Sequence, residues 1–417
     1  MKRFLLLFFT VLFFLIFSLL PVTAHPPVQV KIDGLGVKFD VLPVIKEGRV
    51  LVPFRALSEG LNTKVKWDEN TQSITAIQGN NTIILEIGKN TALINDSPLP
   101  LDVPPTILDG RTLIPLRFFS EALNCQVNWN AQDYIVDVKS APKSLNVIGF
   151  YALGDRNTSS WTNLFQREYP ETSLGNTHLV HELALGWYSL DQEGQLLTKS
   201  TTGWQRPVGW ENVLAACNRY NLKPDMVIHA TNKDRLLIDF LSNETAVNNL
   251  VNSILAEVSL YGGVNLNLEG LGLSQQGEEL LTIQENFTEF VNKLAHGLKP
   301  INKKLTLTLH APNSVYKGYN YQALGAIADR IIIMAYEYGG TPEPAGKVVE
   351  AVEMAKSLVP IDKLILGINI PRETSESLIT KVGIAKKYDL NGIALWRLGL
   401  LTPQMWSNLE TTIIPRF

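Results

Sequence analysis

Residues 262–270 read Gly262-Gly263-Val264-Asn265-Leu266-Asn267-Leu268-Glu269-Gly270. Between the glycines, apolar and polar residues alternate with the period of two that belongs to a β-strand. That alternation puts Asn265, Asn267 and Glu269 on one side of the strand and Val264, Leu266 and Leu268 on the other. Two amides and a carboxyl in a row are costly to bury unless they bond one another or a ligand.

Working outward, short apolar runs alternate with helical patterns from about residue 145 to the end of the chain, the texture of βα units around a parallel sheet. Eight runs have strand length: 146–151, 183–189, 225–229, 263–268, 305–310, 330–337, 363–368 and 392–396. Helical patterns fit between them, for example over 210–221, 244–260, 284–298 and 344–358. Eight such units within residues 145–413 predict an α/β fold, a closed (β/α)8 TIM barrel, in preference to a doubly wound sheet. Active sites of such barrels form at the C-terminal strand ends. That rule selects Glu269 after strand 4, Met334-Ala335-Tyr336-Glu337 after strand 6 and Leu395-Trp396-Arg397 after strand 8. A carboxyl above a Trp floor, partly out of water, is expected to have a raised pKa and to serve as a proton donor.

Upstream lies a repeat. Residues 48–67 read GRVLVPFRALSEGLNTKVKW and residues 110–129 read GRTLIPLRFFSEALNCQVNW, about half identical at a period of 62. Each copy predicts a short strand ending at Pro53 or Pro115, a short helix with Arg55 and Glu59 or Arg117 and Glu121, and a strand ending at Trp67 or Trp129. The Arg and Glu are expected to pair within each copy. Residues 27–139 thus form a smaller, β-rich α+β duplicated domain in front of the barrel.

The 417 residues are 45% hydrophobic, ample for two cores, and the formal charge of −3 gives no general attraction to nucleic acid or anionic membrane. Lys2 and Arg3 precede an apolar run from Phe4 to Leu20, and Val22-Thr23-Ala24 offers small residues for cleavage. Residues 1–24 therefore read as an export signal, with an uncleaved membrane anchor the open alternative. The mature chain is expected to be secreted or held in the cell wall or envelope. Cys125 and Cys217 fall in different domains and predict two buried thiols. His178 and His181 alone are a weak metal signal, and neither a metal nor an organic cofactor is expected.

The duplicated GR…P.R…..E.LN..V.W pattern resembles the stalk-type copper amine oxidase N-terminal domain. No Asn-Tyr-Asp/Glu quinone site accompanies it, since Asn320-Tyr321 is followed by Gln322. The second segment, at the strand ends 262–269, 334–337 and 392–399, together with the opening Val147-Ile148-Gly149-Phe150-Tyr151, resembles glycoside hydrolase family 18. The likeness is closest to the branch acting on peptidoglycan and spore cortex. It implies an O-glycosyl hydrolase acting on β-1,4-linked N-acetylglucosamine-containing polysaccharide, chitin or peptidoglycan, by substrate-assisted catalysis. Carried onto this chain, it makes Glu269 the acid/base, Asn267 and Tyr336 the holders of the substrate acetamide and Glu337 an auxiliary acid. Trp396, Asn265 and Tyr151 become substrate-binding residues.

The chain departs from the family where an Asp is usual: Gly262 opens the motif, and Asn267 stands two residues before Glu269. An amide can accept the acetamide N–H but supplies no negative charge to a cationic intermediate. Such a loss in an occluded site costs about 10²–10³ in rate. It also removes a like charge beside Glu269, which lowers the expected pKa relative to the family. Three readings stay open: a weakened hydrolase, a glycan-binding protein whose site has decayed, and a structural or scaffold protein of the envelope in which the barrel is a spacer and the repeats do the work.

Overall fold

The computed structural model describes residues 26–155, 157–200 and 203–417. The export signal expected over residues 1–24 lies outside them. Among the described residues no helix is long and apolar enough to cross a membrane.

The duplicated segment folds around a main core drawn from Val28 to Val138, with a small separate cluster of Leu51, Val103 and Leu113. In chain order its elements are β1 (Gln29–Ile32), β2 (Leu35–Gly36), β3 (Val44–Lys46), β4 (Arg49–Pro53), α1 (Phe54–Gly60) and β5 (Lys64–Asp68). There follow β6 (Ser73–Gln78), β7 (Asn81–Glu86), β8 (Thr91–Ile94), β9 (Ser97–Pro100), β10 (Thr106–Leu108), β11 (Arg111–Pro115), α2 (Leu116–Ala122), β12 (Gln126–Asn130) and β13 (Ile135–Lys139). The copies meet where β4 and β11 pair antiparallel, Ile114 opposite Val52, in the sheet β10-β11-β4-β3. A second sheet runs β5-β6-β7-β8-β9, and a third, β12-β13-β1-β2, sets β1 parallel to β13. Pro53 and Pro115 end their strands because proline has no N–H to continue a ladder, and each starts a helix instead. Inside the copies, Arg117 and Glu121 pair at 3.2 Å, whereas among the described residues Arg55 and Glu59 do not. Instead Arg49 reaches Asp102 and Arg111 reaches Asp40, each bridge joining one copy to the other.

The second core runs from Leu145 to Ile413. Its strands are β14 (Asn146–Tyr151), β15 (Glu182–Leu190), β17 (Lys223–Thr231), β18 (Gly263–Glu269), β19 (Lys304–His310), β20 (Arg330–Met334), β21 (Leu364–Asn369) and β22 (Gly392–Trp396), with β16 (Leu196–Leu197) a short antiparallel partner of β15. The eight pair in parallel and close on themselves through β14 and β22, the predicted barrel. Around it lie α3 (Ser160–Phe165), α4 (Trp210–Arg219), α5 (Leu236–Leu241), α6 (Glu244–Glu257), α7 (Gly277–Leu298), α8 (Tyr321–Ile327), α9 (Ala345–Lys356), α10 (Ser375–Lys387) and α11 (Pro403–Thr412). Two boundaries differ most from expectation. β20 stops at Met334, short of the expected end at Glu337, which adopts φ +69°, and α7 begins at Gly277, seven residues before the expected start at 284. Only α10 and a short turn of 3-10 helix separate β21 from β22, so no inserted domain stands beside the barrel mouth there.

Cys125 and Cys217 are free and buried, as expected. The two cores join through a buried ion pair: Asp33 accepts from the Ser140 N–H at 2.9 Å and from its hydroxyl at 2.5 Å, with Lys386 Nζ of α10 at 3.6 Å. At the base of the barrel, Arg330 bridges Glu182 at 2.7 Å and Asp225 at 3.1 Å, all buried.

Candidate active site

In β18 the alternation holds: Leu266 and Leu268 pack into the layer beneath the helices, while Asn265 and Asn267 are fully buried on the other side. Asn265 Oδ1 accepts from the Thr308 hydroxyl of β19 at 2.7 Å, but its amide nitrogen has no partner. The Asn267 amide lies close enough to Glu269 to favour the ionised carboxylate, yet neither of its atoms makes a hydrogen bond of normal geometry. Each unpaired buried polar group costs about 1–3 kcal/mol. Unpaired amide atoms on two consecutive inward positions are therefore expensive for the fold alone, and they suit a site whose ligand supplies the missing partners.

Glu269 ends β18 with its side chain 26% exposed, and its Oε1 lies 3.5 Å from Nε2 of His229. His229 is buried and belongs to β17, where it is in register with Asn267. Burial pushes the Glu269 carboxyl up, but the hydrogen bond and charge of His229 outweigh it, with smaller contributions from His310 and Asn267, so the pKa lies below its usual value. This corrects the expectation of a raised pKa. The neighbour responsible is an isolated histidine on another strand, and no local sequence pattern distinguishes it from a core histidine. His310, at the end of β19, stacks on Tyr316 at 3.9 Å between ring centroids and is pushed down to about 4 by burial, which leaves it neutral at ordinary pH.

Tyr336 and Glu337 follow β20 into the same space. The Tyr336 hydroxyl is held well above the usual phenol range by burial and by the charges of Glu269 and Glu337. Glu337 is raised by partial burial and by Glu269 and Glu343. Its backbone is fixed by the buried Glu343 carboxylate, which accepts from the N–H groups of Glu337 at 3.0 Å and Tyr338 at 3.1 Å. Three titratable groups thus influence one another at the barrel mouth, which is the electrostatic mark of a chemical site.

Trp396 ends β22 half-buried, edge-on to Phe150 at 5.1 Å and 5.0 Å from Trp204. Trp204 arrives from the segment after β16 and also lies 6.3 Å from His229. Gly186 of β15 makes room for it: a Cβ there would stand 2.0 Å from the indole. Of the other loop-region tryptophans, Trp161 and Trp187 are wholly core, and Trp210 packs under the Arg206 guanidinium. Tyr151 is corrected as well. Phe150, not Tyr151, faces the barrel interior, and Tyr151 is buried outside it, near Cys217 and Tyr169, away from Glu269. The site therefore gathers Glu269, Asn267, Asn265, Tyr336, Glu337 and Trp396, and adds His229, His310 and Trp204. Among the described residues no group of three or more metal-ligating side chains occurs.

Residues 31–138 match the family model described as the copper amine oxidase N-terminal domain. Over 140 residues the chain is 31% identical to a Bacillus subtilis protein described as a sporulation-specific glycosylase, YdhD, a stretch that is 31% of each. The chain spans from about a third to about half of the length of the curated relatives it matches. A class V chitinase from Pseudomonas fluorescens superposes with a TM-score of 0.53 at 16% identity, over 64% of this chain and 99% of that one. The spore cortex-lytic enzyme SleL of Bacillus megaterium does so with a TM-score of 0.53 at 18% identity, over 75% of this chain and 80% of its own. The chain joins a unit matching the copper amine oxidase N-terminal domain to a TIM barrel that resembles glycoside hydrolase family 18 and shares the fold of its chitinases and cortex-lytic enzymes.

Proposed function

We propose that the barrel is a glycosidase of β-1,4-linked N-acetylglucosamine-containing glycan, peptidoglycan or chitin. The observation that carries this reading is the meeting of Glu269, the unpaired Asn267 amide, Tyr336 and Trp396 at the C-terminal ends of strands of one barrel. In the proposed cycle the substrate acetamide oxygen attacks the anomeric carbon as the bond to the leaving oxygen breaks. Glu269 passes its proton to that oxygen. Asn267 accepts the acetamide N–H, the Tyr336 hydroxyl donates to the acetamide oxygen, and Glu337 backs the site as an auxiliary acid. Trp396 and Trp204 offer apolar faces to the sugar. Water then opens the oxazolinium ring and returns a proton to Glu269. No residue of this scheme requires a metal or organic cofactor. The same reading makes the chain an exported protein of the envelope, with residues 27–139 as a unit that presents residues 145–413 to the wall.

A second reading, a glycan-binding barrel without turnover, draws support from His229, which favours the ionised form of the carboxyl that must donate a proton. Reducing-end release from purified peptidoglycan and chito-oligosaccharides separates the two. On the hydrolase reading Glu269→Gln abolishes release. Asn267→Asp raises it by about 10²-fold, because a carboxylate now faces the cationic intermediate. Saturable sugar binding with no release by the wild type or by Asn267→Asp selects the second reading.

A further inference from the structure

The 62-residue repeat preserves more than its fold needs. Packing constrains buried positions, yet the copies also agree at exposed ones: Arg49 and Arg111, Arg55 and Arg117, Glu59 and Glu121, with Asp40 and Asp102 alongside. Trp67 and Trp129 match too, and Trp129 is 38% exposed. Exposed ion pairs contribute about 0–1 kcal/mol each, so stability is a weak reason to keep them.

These residues line two cavities. One, of about 630 Å³, is walled by Ile45, Arg49, Asp102, Arg117, Glu121 and Trp129. The other, of about 520 Å³, is walled by their counterparts Ile107, Arg111, Asp40, Arg55, Glu59 and Trp67. In each, an arginine from one copy pairs with an aspartate from the other in the cavity wall. Both volumes fall in the range of small-ligand sites. Each cavity offers an indole, an apolar wall and two guanidinium and two carboxylate groups whose charges cancel; Lys38 adds one positive charge to the second. A balanced set of planar donors and acceptors around an aromatic face has little field with which to select an ion. It suits a neutral ring with one apolar face and a rim of hydroxyl and amide groups. Two equivalent cavities on one small domain suit a ligand that repeats itself.

We propose that the two cavities are equivalent carbohydrate subsites that seat a β-linked amino-sugar chain independently of the barrel. The choice of amino sugar rests on the glycosidase reading; the existence of the paired subsites does not. The test uses the full chain carrying Glu269→Gln, and measures retention on insoluble chitin and on peptidoglycan sacculi. The Trp67→Ala/Trp129→Ala double variant is expected to lose at least about tenfold in retention, in keeping with avidity from two linked sites. Ala56→Arg/Ala131→Arg fills the cavities without removing a contact and is expected to do the same, so a folding defect in the first variant does not decide the matter. Loss on both polymers identifies the shared amino-sugar backbone, and loss on one identifies which polymer supplies it. Hydrolysis of soluble oligosaccharides by the same cavity variants with Glu269 intact is expected to be unchanged. Retention of Ala56→Arg/Ala131→Arg at the wild-type level overturns the proposal, as does a wild type retained on neither polymer. A dimer seen by ultracentrifugation and dissolved by the cavity variants also overturns it, by placing a second copy in the cavities. If no variant hydrolyses soluble oligosaccharide, the barrel reading fails while the cavities stand or fall on retention alone.

Discussion

At the scale of single residues, the departure of this site lies in what surrounds Glu269. A neutral Asn267 takes the place of a charged neighbour, and His229 supplies a donor from the adjacent strand; both favour the carboxylate. On the proposed hydrolase reading, Glu269 must be protonated at the start of the step, so turnover falls as pH rises through its pKa, and a lowered pKa confines that activity to more acidic conditions. His229→Phe removes the donor, raises the Glu269 pKa and moves the alkaline limb of the pH profile of kcat/KM upward. An unmoved limb would show that His229 does not control this proton. Asn267→Asp is expected to move the limb in the same direction by like-charge repulsion.

Elements explain why some of this is legible in the sequence and some is not. The β18 strand announces itself because its period of two and its flanking glycines are local, and these suffice to set Asn265, Asn267 and Glu269 on one face. Tyr151 is misplaced by one residue of phase: in a run as uniformly apolar as Val147–Tyr151 the alternation carries no polar marker, and only pairing with β15 and β22 decides that Phe150 points inward. Trp204 does not stand apart from the other tryptophans in the sequence because its position depends on a contact with Gly186, in a different strand. That contact is testable. Gly186→Ala drives a methyl into the indole. Losing an aromatic contact worth about 0.5–1.5 kcal/mol should raise KM for chito-oligosaccharides up to about tenfold, with a smaller change in kcat. An unchanged KM would place Trp204 outside the sugar path.

For the molecule as a whole, the barrel rests on a buried charge cluster at the end opposite the candidate site. Arg330 holds Glu182 and Asp225 together, and burial with the Glu182 charge pushes Asp225 up to about 7 while Arg330 holds Glu182 below its ordinary value. Removing the cation that bridges such a cluster costs about 3–5 kcal/mol, so Arg330→Met should lower Tm by many degrees. Because Asp225 binds its proton more tightly folded than unfolded, its contribution to stability is complete at low pH and is lost as pH rises from about 4 towards 7. Asp225→Asn, which mimics the protonated form, should flatten the dependence of Tm on pH over that window; an unchanged slope would assign the proton elsewhere. The parallel pairing of β1 with β13 has a mechanical consequence. Tension carried along the backbone enters at Gln29 and leaves at Lys139, so it drags these neighbours in opposite directions along their length. The bonds between them, including Gln29 N–H to Tyr134 O at 2.9 Å and Asp33 N–H to Val138 O at 2.8 Å, are then loaded together in shear instead of being peeled one after another. On the proposed envelope role, a pull on the barrel through this front domain would load the β1–β13 seam as a whole, so that its bonds resist together.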